Sequence, residues 1–246
     1  MAVLQLVNVS KSFGAIRALS DISLNLHAGE AIGIAGDLGA GKSTLIKVIG
    51  GAVAHSSGMI VLDGEQVRLE APADARRRGI EIVPQDPGLC GGLSAAANVF
   101  LGRELSWRIG PVGVLDRRAM NARAGDLFAE MHSDIGPRTL ARELSSGQRR
   151  AVAIARTRLA QAKVVLLDEP NAVAGGREAA QTLDLIRQMR DGGVGVLLVS
   201  DALADLFAVC DRVLVLRRGR KVAELAVGDT SPEEIGRLLA GGVAVA

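Results

Sequence analysis

The chain has 246 residues, 48% of them hydrophobic and 2% aromatic, with a formal net charge of +2. That length suits one large α/β domain, or a main domain with a smaller subdomain, and the core must be built from Ala, Val, Leu and Ile. So few aromatics argue against a base-stacking surface for single strands, and so balanced a charge against a general polyanion-binding face; no nucleic-acid partner is expected.

Cys90 and Cys210 lie far apart without metal-ligand spacing, the pattern of a reducing compartment. The opening stretch MAVLQLVNVSKSFG lacks a basic segment followed by a long apolar one, so it does not read as a signal peptide. No apolar run approaches the roughly 20 residues of a spanning helix.

Residues 2–9 and 19–26 alternate apolar and polar, as half-buried antiparallel strands do. Residues 31–35 (AIGIA) read as a short buried strand entering a Gly-rich loop, and STLIKVIGG beyond it as a helix. Asp63-Gly64 separates two strand-like runs within 58–69, a hairpin signal. A helix over 72–78, with Arg76 to Arg78 as its solvated end before Gly79, leads to a strand over 80–84.

The texture then changes. Pro87, Gly88, Gly91 and Gly92 interrupt regular structure, and 94–142 reads as mostly helical with a loop around Ile109–Gly113. The stretch from about 86 to 142 is expected to be a helical insertion between strands of the main sheet. Alternation resumes with helix 147–160, strand 163–169, helix 177–190, strand 194–199, helix 202–209 and strand 211–216. Arg217–Arg220 turns into a last hairpin partner, and a helix over 231–240 takes Ser231 as N-cap with Glu234 three residues on, before a Gly/Ala tail. Strands separated by helices predict a mainly parallel sheet covered on both faces.

Three stretches carry chemistry. Gly36-Asp37-Leu38-Gly39-Ala40-Gly41-Lys42-Ser43, with Thr44 next, fits G-x-x-x-x-G-K-[ST] between a strand and a helix. Its backbone N–H groups can wrap a phosphate chain, Lys42 supplies charge to β- and γ-phosphates, and Ser43 offers a hydroxyl to Mg²⁺. Val164 to Leu167 end on Asp168 and Glu169, placing one acid at a strand tip to hold Mg²⁺ through water and a second to polarise an attacking water. The pair identifies a P-loop nucleotide hydrolase. The third stretch, Leu144-Ser145-Ser146-Gly147-Gln148-Arg149-Arg150, precedes a helix and lies 18 residues before the strand that ends in Asp168.

LSSGQRR, KVVLLDEP and the phosphate loop together resemble the nucleotide-binding subunits of ABC transporters, over essentially the whole chain. The resemblance implies a P-loop NTPase (RecA-like) core with a small antiparallel β subdomain and an inserted helical subdomain: one domain over 1–246, with the core at 1–85 and 143–246 and the insertion at 86–142. It implies ATP and Mg²⁺ as cofactors, and Lys42 and Glu169 as catalytic. Phe13 matches the aromatic that family members stack on adenine, and Gln85 the glutamine that senses Mg²⁺ and the γ-phosphate; outside this constellation they read as a core aromatic and a polar loop residue. Ser145, Ser146, Gly147 and Gln148 would face the nucleotide of a second copy, or of a homologous cassette, across an ATP sandwich. GDLGAGKSTLIKVIGGAV, DARRRGIEIVPQD, LSAAANVFLGRE and FAVCDRVLVLRRGR are similar to segments of the sugar-import branch (ribose, xylose, fructose). Expected partners are therefore integral permease subunits and, indirectly, a sugar-binding protein, at the cytoplasmic face of the membrane.

The chain also departs from that pattern. Asp201 stands where the family has a histidine that contacts the γ-phosphate, and two unit charges 4 Å apart repel by about 4 kcal/mol at an effective dielectric of 20. Asp201 can also be read as an N-cap of the following helix. Leu38 replaces an asparagine, Ser146 a glycine, Arg150 a glutamine, Asn171 a threonine and Ala97 a glutamate. Lys42, Ser43, Gln85, Asp168 and Glu169 are intact, so slow hydrolysis is expected. The alternatives are a nucleotide-clamped subunit with negligible turnover and a non-transport ABC ATPase.

Overall fold

The computed structural model describes residues 2–109, 112–171 and 176–241. The alternating N-terminal runs form strands β1 (Ala2–Phe13) and β2 (Ile16–His27), paired antiparallel. After β3 (Ala31–Gly36) and helix α1 (Lys42–Ile49), β4 (Ser57–Leu62) and β5 (Glu65–Val67) complete a sheet of order β2-β1-β4-β5. Asp63 (φ +49°) and Gly64 (φ +84°) both adopt the left-handed region, the geometry of a two-residue hairpin turn whose twist matches its strands.

Helix α2 (Pro72–Arg77) leads to β6 (Ile80–Val83). Its arginines do close the helix: Arg76 and Arg77 occupy the last turn, and Arg78 is the C-cap. Short helix α3 (Ala95–Val99), strands β7 (Ser106–Ile109) and β8 (Val112–Leu115), and helices α4 (Arg117–Glu130) and α5 (Ser146–Leu159) follow. From there the order is β9 (Val164–Asp168), α6 (Gly176–Asp191), β10 (Gly195–Val199), α7 (Leu203–Val209), β11 (Arg212–Arg217), β12 (Arg220–Ala226) and α8 (Pro232–Leu239).

The main sheet has the order β12-β11-β3-β10-β9-β6, parallel except for the β11–β12 hairpin. Both faces of its central strands are buried, which is why they read as unbroken apolar runs. Ile32, Ile34, Leu166, Leu197, Val199 and Leu214 join Leu45, Ile46 and Ile49 of α1 and the inward residues of β1 and β2 in one core. Opposite, Gly33 lets Leu206 of α7 approach so closely that a Cβ on it would lie 3.0 Å from Leu206 Cδ2. Arg212 ties the two sheets: its guanidinium donates to Glu30 (2.7 Å), to Glu224, and to the Asn25 carbonyl on β2 (2.6 Å).

Two compact units result. One comprises residues 1–85, 162–172 and 186–246, the other 86–161 and 173–185. The second is larger than the 86–142 stretch read as an insertion, because α5 packs on α3 and α4 within it. Its core also corrects the aliphatic expectation: Phe100 and Phe128 are its largest fully buried side chains, while the sheet core is aliphatic. The expected loop at Ile109–Gly113 falls instead within the antiparallel β7–β8 hairpin. Gly110 and Pro111 lie outside the described residues, as does the tail beyond Gly241. At α8 the N-cap is Ser231 as expected, but the Glu234 carboxylate accepts from Thr230 rather than closing a box on Ser231.

Candidate functional site

The carboxyl ends of β3, β9 and β10 gather the groups that the sequence places in separate motifs. The Gly36–Lys42 loop leaves β3 at the middle of the sheet and feeds α1 directly. Gly41 is required there: its φ is +106°, and a Cβ would lie 2.9 Å from the Ala18 carbonyl. Lys42 is 7% exposed and points back into the loop, donating to the carbonyls of Gly36 and Asp37 (3.3 Å).

Asp201 answers the question of its own position. Its carboxylate lies 2.9 Å from Lys42 Nζ, with side-chain exposures of 8% for the lysine and 67% for the acid. The capping expectation is corrected: Ala202 is the N-cap of α7, no side chain caps it, and the Ala202 N–H is taken by Ser200 Oγ at 3.2 Å. A carboxylate held by the buried cation outcompetes a weaker bond to a helix N–H.

Asp168 and Glu169 complete the cluster. Asp168 ends β9 beside Val199 of β10. Burial pushes its carboxyl above the ordinary range, against the pull of Lys47 and Lys42. Glu169 adopts φ +46°, unusual for a residue with a Cβ, and its N–H is held at 2.9 Å by the Val199 carbonyl. Burial, the charge of Asp201 and a hydrogen bond to it raise the Glu169 carboxyl, with Lys42 opposing. Two raised carboxyls beside one buried ammonium can bind a phosphate chain, hold a hard cation and accept a proton.

Other predicted residues stand farther out. Phe13 is 49% exposed, which removes the core-aromatic reading, and the Lys11 ammonium lies 4.8 Å from its ring centroid. Gln85 is exposed on the bend after β6, the strand paired with β9. Leu38 is fully exposed at the tip of the loop. Asn171 donates to Asp205 at 3.0 Å, tying the segment after β9 to α7. Arg218, Gly219, Ile16 and Arg17 also line the groove beside the loop, and the sequence reading passed over them. The signal was the Arg-Gly turn itself: Gly219 donates to the Ala40 carbonyl at 2.9 Å, and a Cβ on it would lie 2.5 Å from the Ala18 carbonyl.

In the second unit, Ser145 is the N-cap of α5 and forms a reciprocal capping box with Gln148. Ser145 Oγ accepts from the Gln148 N–H at 3.3 Å, and Gln148 Oε1 from the Ser145 N–H at 3.0 Å. A helix head of this kind favours an anion. Ser146 Oγ donates to Glu178 at 2.6 Å. Among the described residues no cluster of acids, histidines and cysteines is by itself a metal cage, and no helix is long and apolar enough to cross a membrane.

The sequence pattern of the ABC transporter family matches residues 19–172. A ribose import ATP-binding protein (RbsA 2) of Streptomyces avermitilis is 37% identical over 97% of the chain, and RbsA 1 of Streptomyces coelicolor 38% identical over the same share. RbsA 2 of Burkholderia pseudomallei is 36% identical. The chain spans about half the length of these curated relatives, 46–47%. In fold it is similar to a nucleotide-free ATP-binding cassette from an ABC transporter (TM-score 0.82, 24% identity, 98% of this chain and 96% of that one). A dimeric post-hydrolysis cassette, MJ0796 bound to ADP and Pi, gives a TM-score of 0.73 at 23% identity, covering 91% of this chain and 98% of that one.

Proposed function

This chain belongs to the ABC transporter family, and on that premise we propose that it is the MgATP-driven cassette of a carbohydrate importer. The observation that carries this reading is the convergence of Lys42, Ser43, Asp168 and Glu169 at one end of the central sheet. Lys42 and the N–H groups of the 36–44 loop bind the β- and γ-phosphates, with the head of α1 adding its dipole. Phe13 stacks on adenine with its free face.

Ser43, Gln85 and Asp168 would hold Mg²⁺. The fit is supported by the chemistry of the donor set, a hydroxyl, an amide and a carboxylate, all hard oxygen ligands. When bound, the ion neutralises charge on the phosphate oxygens. Glu169 orients the attacking water and takes its proton, and its raised affinity for that proton strengthens it as a base.

Ser145, Ser146, Gly147 and Gln148 of a second copy complete each site, so ATP closes the dimer and its hydrolysis opens it. The dimeric cassettes of similar fold support this stoichiometry. The ribose-import relatives support a simple sugar as cargo, delivered by permease subunits on which this chain docks at the cytoplasmic face. The second reading, a cassette that clamps ATP with negligible turnover, is favoured by the Lys42–Asp201 pair alone.

Steady-state MgATP hydrolysis by the purified chain, beside Glu169→Gln and Asp201→His, separates the two. Slow parental turnover, abolished by Glu169→Gln and raised by Asp201→His, is the expected result. A parent no faster than Glu169→Gln and unaffected by the histidine establishes the clamp instead.

A further inference from the structure

The anion site at the head of α5 already has an occupant. The Glu178 carboxylate, in the first turn of α6, takes the Ser146 hydroxyl at 2.6 Å. The hydrogen bond from Ser146 is the largest cause that holds this carboxyl below the ordinary carboxylate range. The fit is close: a Cβ on Gly147 would lie 3.0 Å from Glu178 Cγ.

Ser146 and Arg150 stand four residues apart on one face of α5. Ser146 reaches this carboxylate by its hydroxyl, and the charge of Arg150 adds a weaker pull. Arg150 is 2% exposed, and its Nη1 has no hydrogen-bond partner among the described residues.

We propose that Glu178 is an internal competitor at the head of α5: it holds the Ser146 hydroxyl and packs over Gly147 in the isolated chain, and must leave before the terminal phosphate of a nucleotide on a second copy can take that place. This rests on the reading of the chain as an ATP-closed dimer. A carboxylate brings two oxygens and one charge, whereas a terminal phosphate brings three oxygens and more charge, so the phosphate wins once it arrives. Ser146 thus works as a threshold on closure.

The test is the chain concentration at which MgATP produces dimer, measured by sedimentation in a Glu169→Gln background so that bound ATP persists. Glu178→Ala and Ser146→Gly are each expected to lower that midpoint on the order of tenfold, the worth of one charge-assisted hydrogen bond. Combining them is expected to add little, because both remove the same contact. Thermal unfolding of each variant verifies that it is folded. Midpoints at or above the parental value overturn the proposal. If no form dimerises, the dimer reading itself has failed, and inorganic phosphate titrated against the monomer decides the competition at the Gly147 amide by NMR. A roughly tenfold lower phosphate midpoint in Glu178→Ala sustains it; equal midpoints sink it.

Discussion

The loop after β3 and the head of α5 are both short Gly-containing turns that open onto a helix N-terminus, and each holds one of the chain's own carboxylates. They differ in what is stranded when that carboxylate leaves. Lys42 is also bound by the Gly36 and Asp37 carbonyls, and Asp201 is 67% exposed, so the acid swings into water and the lysine keeps two partners. At α5 the visible donors are exposed but the charge behind them is not: Arg150 is buried, with a donor already idle. Removing Glu178 takes away an anion whose charge acts on that guanidinium. Filling the phosphate loop is therefore the easy step, and engaging the α5 head the demanding one.

The comparison can be broken first at Lys42. Lys42→Ala removes the buried cation, and MgATP hydrolysis is expected to fall on the order of 10²–10³-fold; a smaller loss would mean that the loop amides alone hold the phosphates. The Glu178 variants come next, at about tenfold in dimerisation. Asp201→Asn sharpens the contrast: calorimetric ATP affinity is expected to rise by roughly three- to fivefold, because an ion pair this exposed is worth little. An Asp201 effect on affinity larger than the Glu178 effect on closure would reverse the ranking of the two sites.

The smallest expected effect is a control away from both. Burial acts to raise the Glu30 carboxyl, but hydrogen bonds from Arg212 and His27 outweigh it and hold it below the ordinary value. Its contribution to stability is thus complete above the unfolded pKa near ~4.3 and lost as pH falls through the lower folded value. Glu30→Gln is expected to cost about 1 kcal/mol at pH 7 and to flatten the acid limb of the unfolding curve, with nucleotide binding unchanged.

Much of this was legible in the chain itself. The phosphate loop, the apolar runs of β3, β9 and β10 and the Asp63-Gly64 turn all show in local residue patterns, because they arise from period, burial and turn chemistry within a few residues. The β7–β8 hairpin was hidden because Gly110 and Pro111 interrupt a very short alternation. The partner of Asp201 was hidden for another reason. Capping is a local possibility readable from sequence, whereas the pull of Lys42 depends on β3 and β10 being neighbours. Glu178 is an ordinary first-turn acid by pattern, and only the packing of its segment against Gly147 gives it a ligand's position. Gly219 reads as a turn residue and proves to be a wall of the groove.

Arg212 has a mechanical meaning. One guanidinium, its fork of donors spread over Glu30, Glu224 and the β2 backbone at Asn25, joins the four-stranded and six-stranded sheets near the ends of β3 and β11 opposite the phosphate loop. Planar and five-donored, it resists both sliding and rotation in a way that a lysine at this place would not. Sliding one sheet over the other would break the bond to Asn25 or those to Glu30 and Glu224, so the guanidinium acts as a rivet between them.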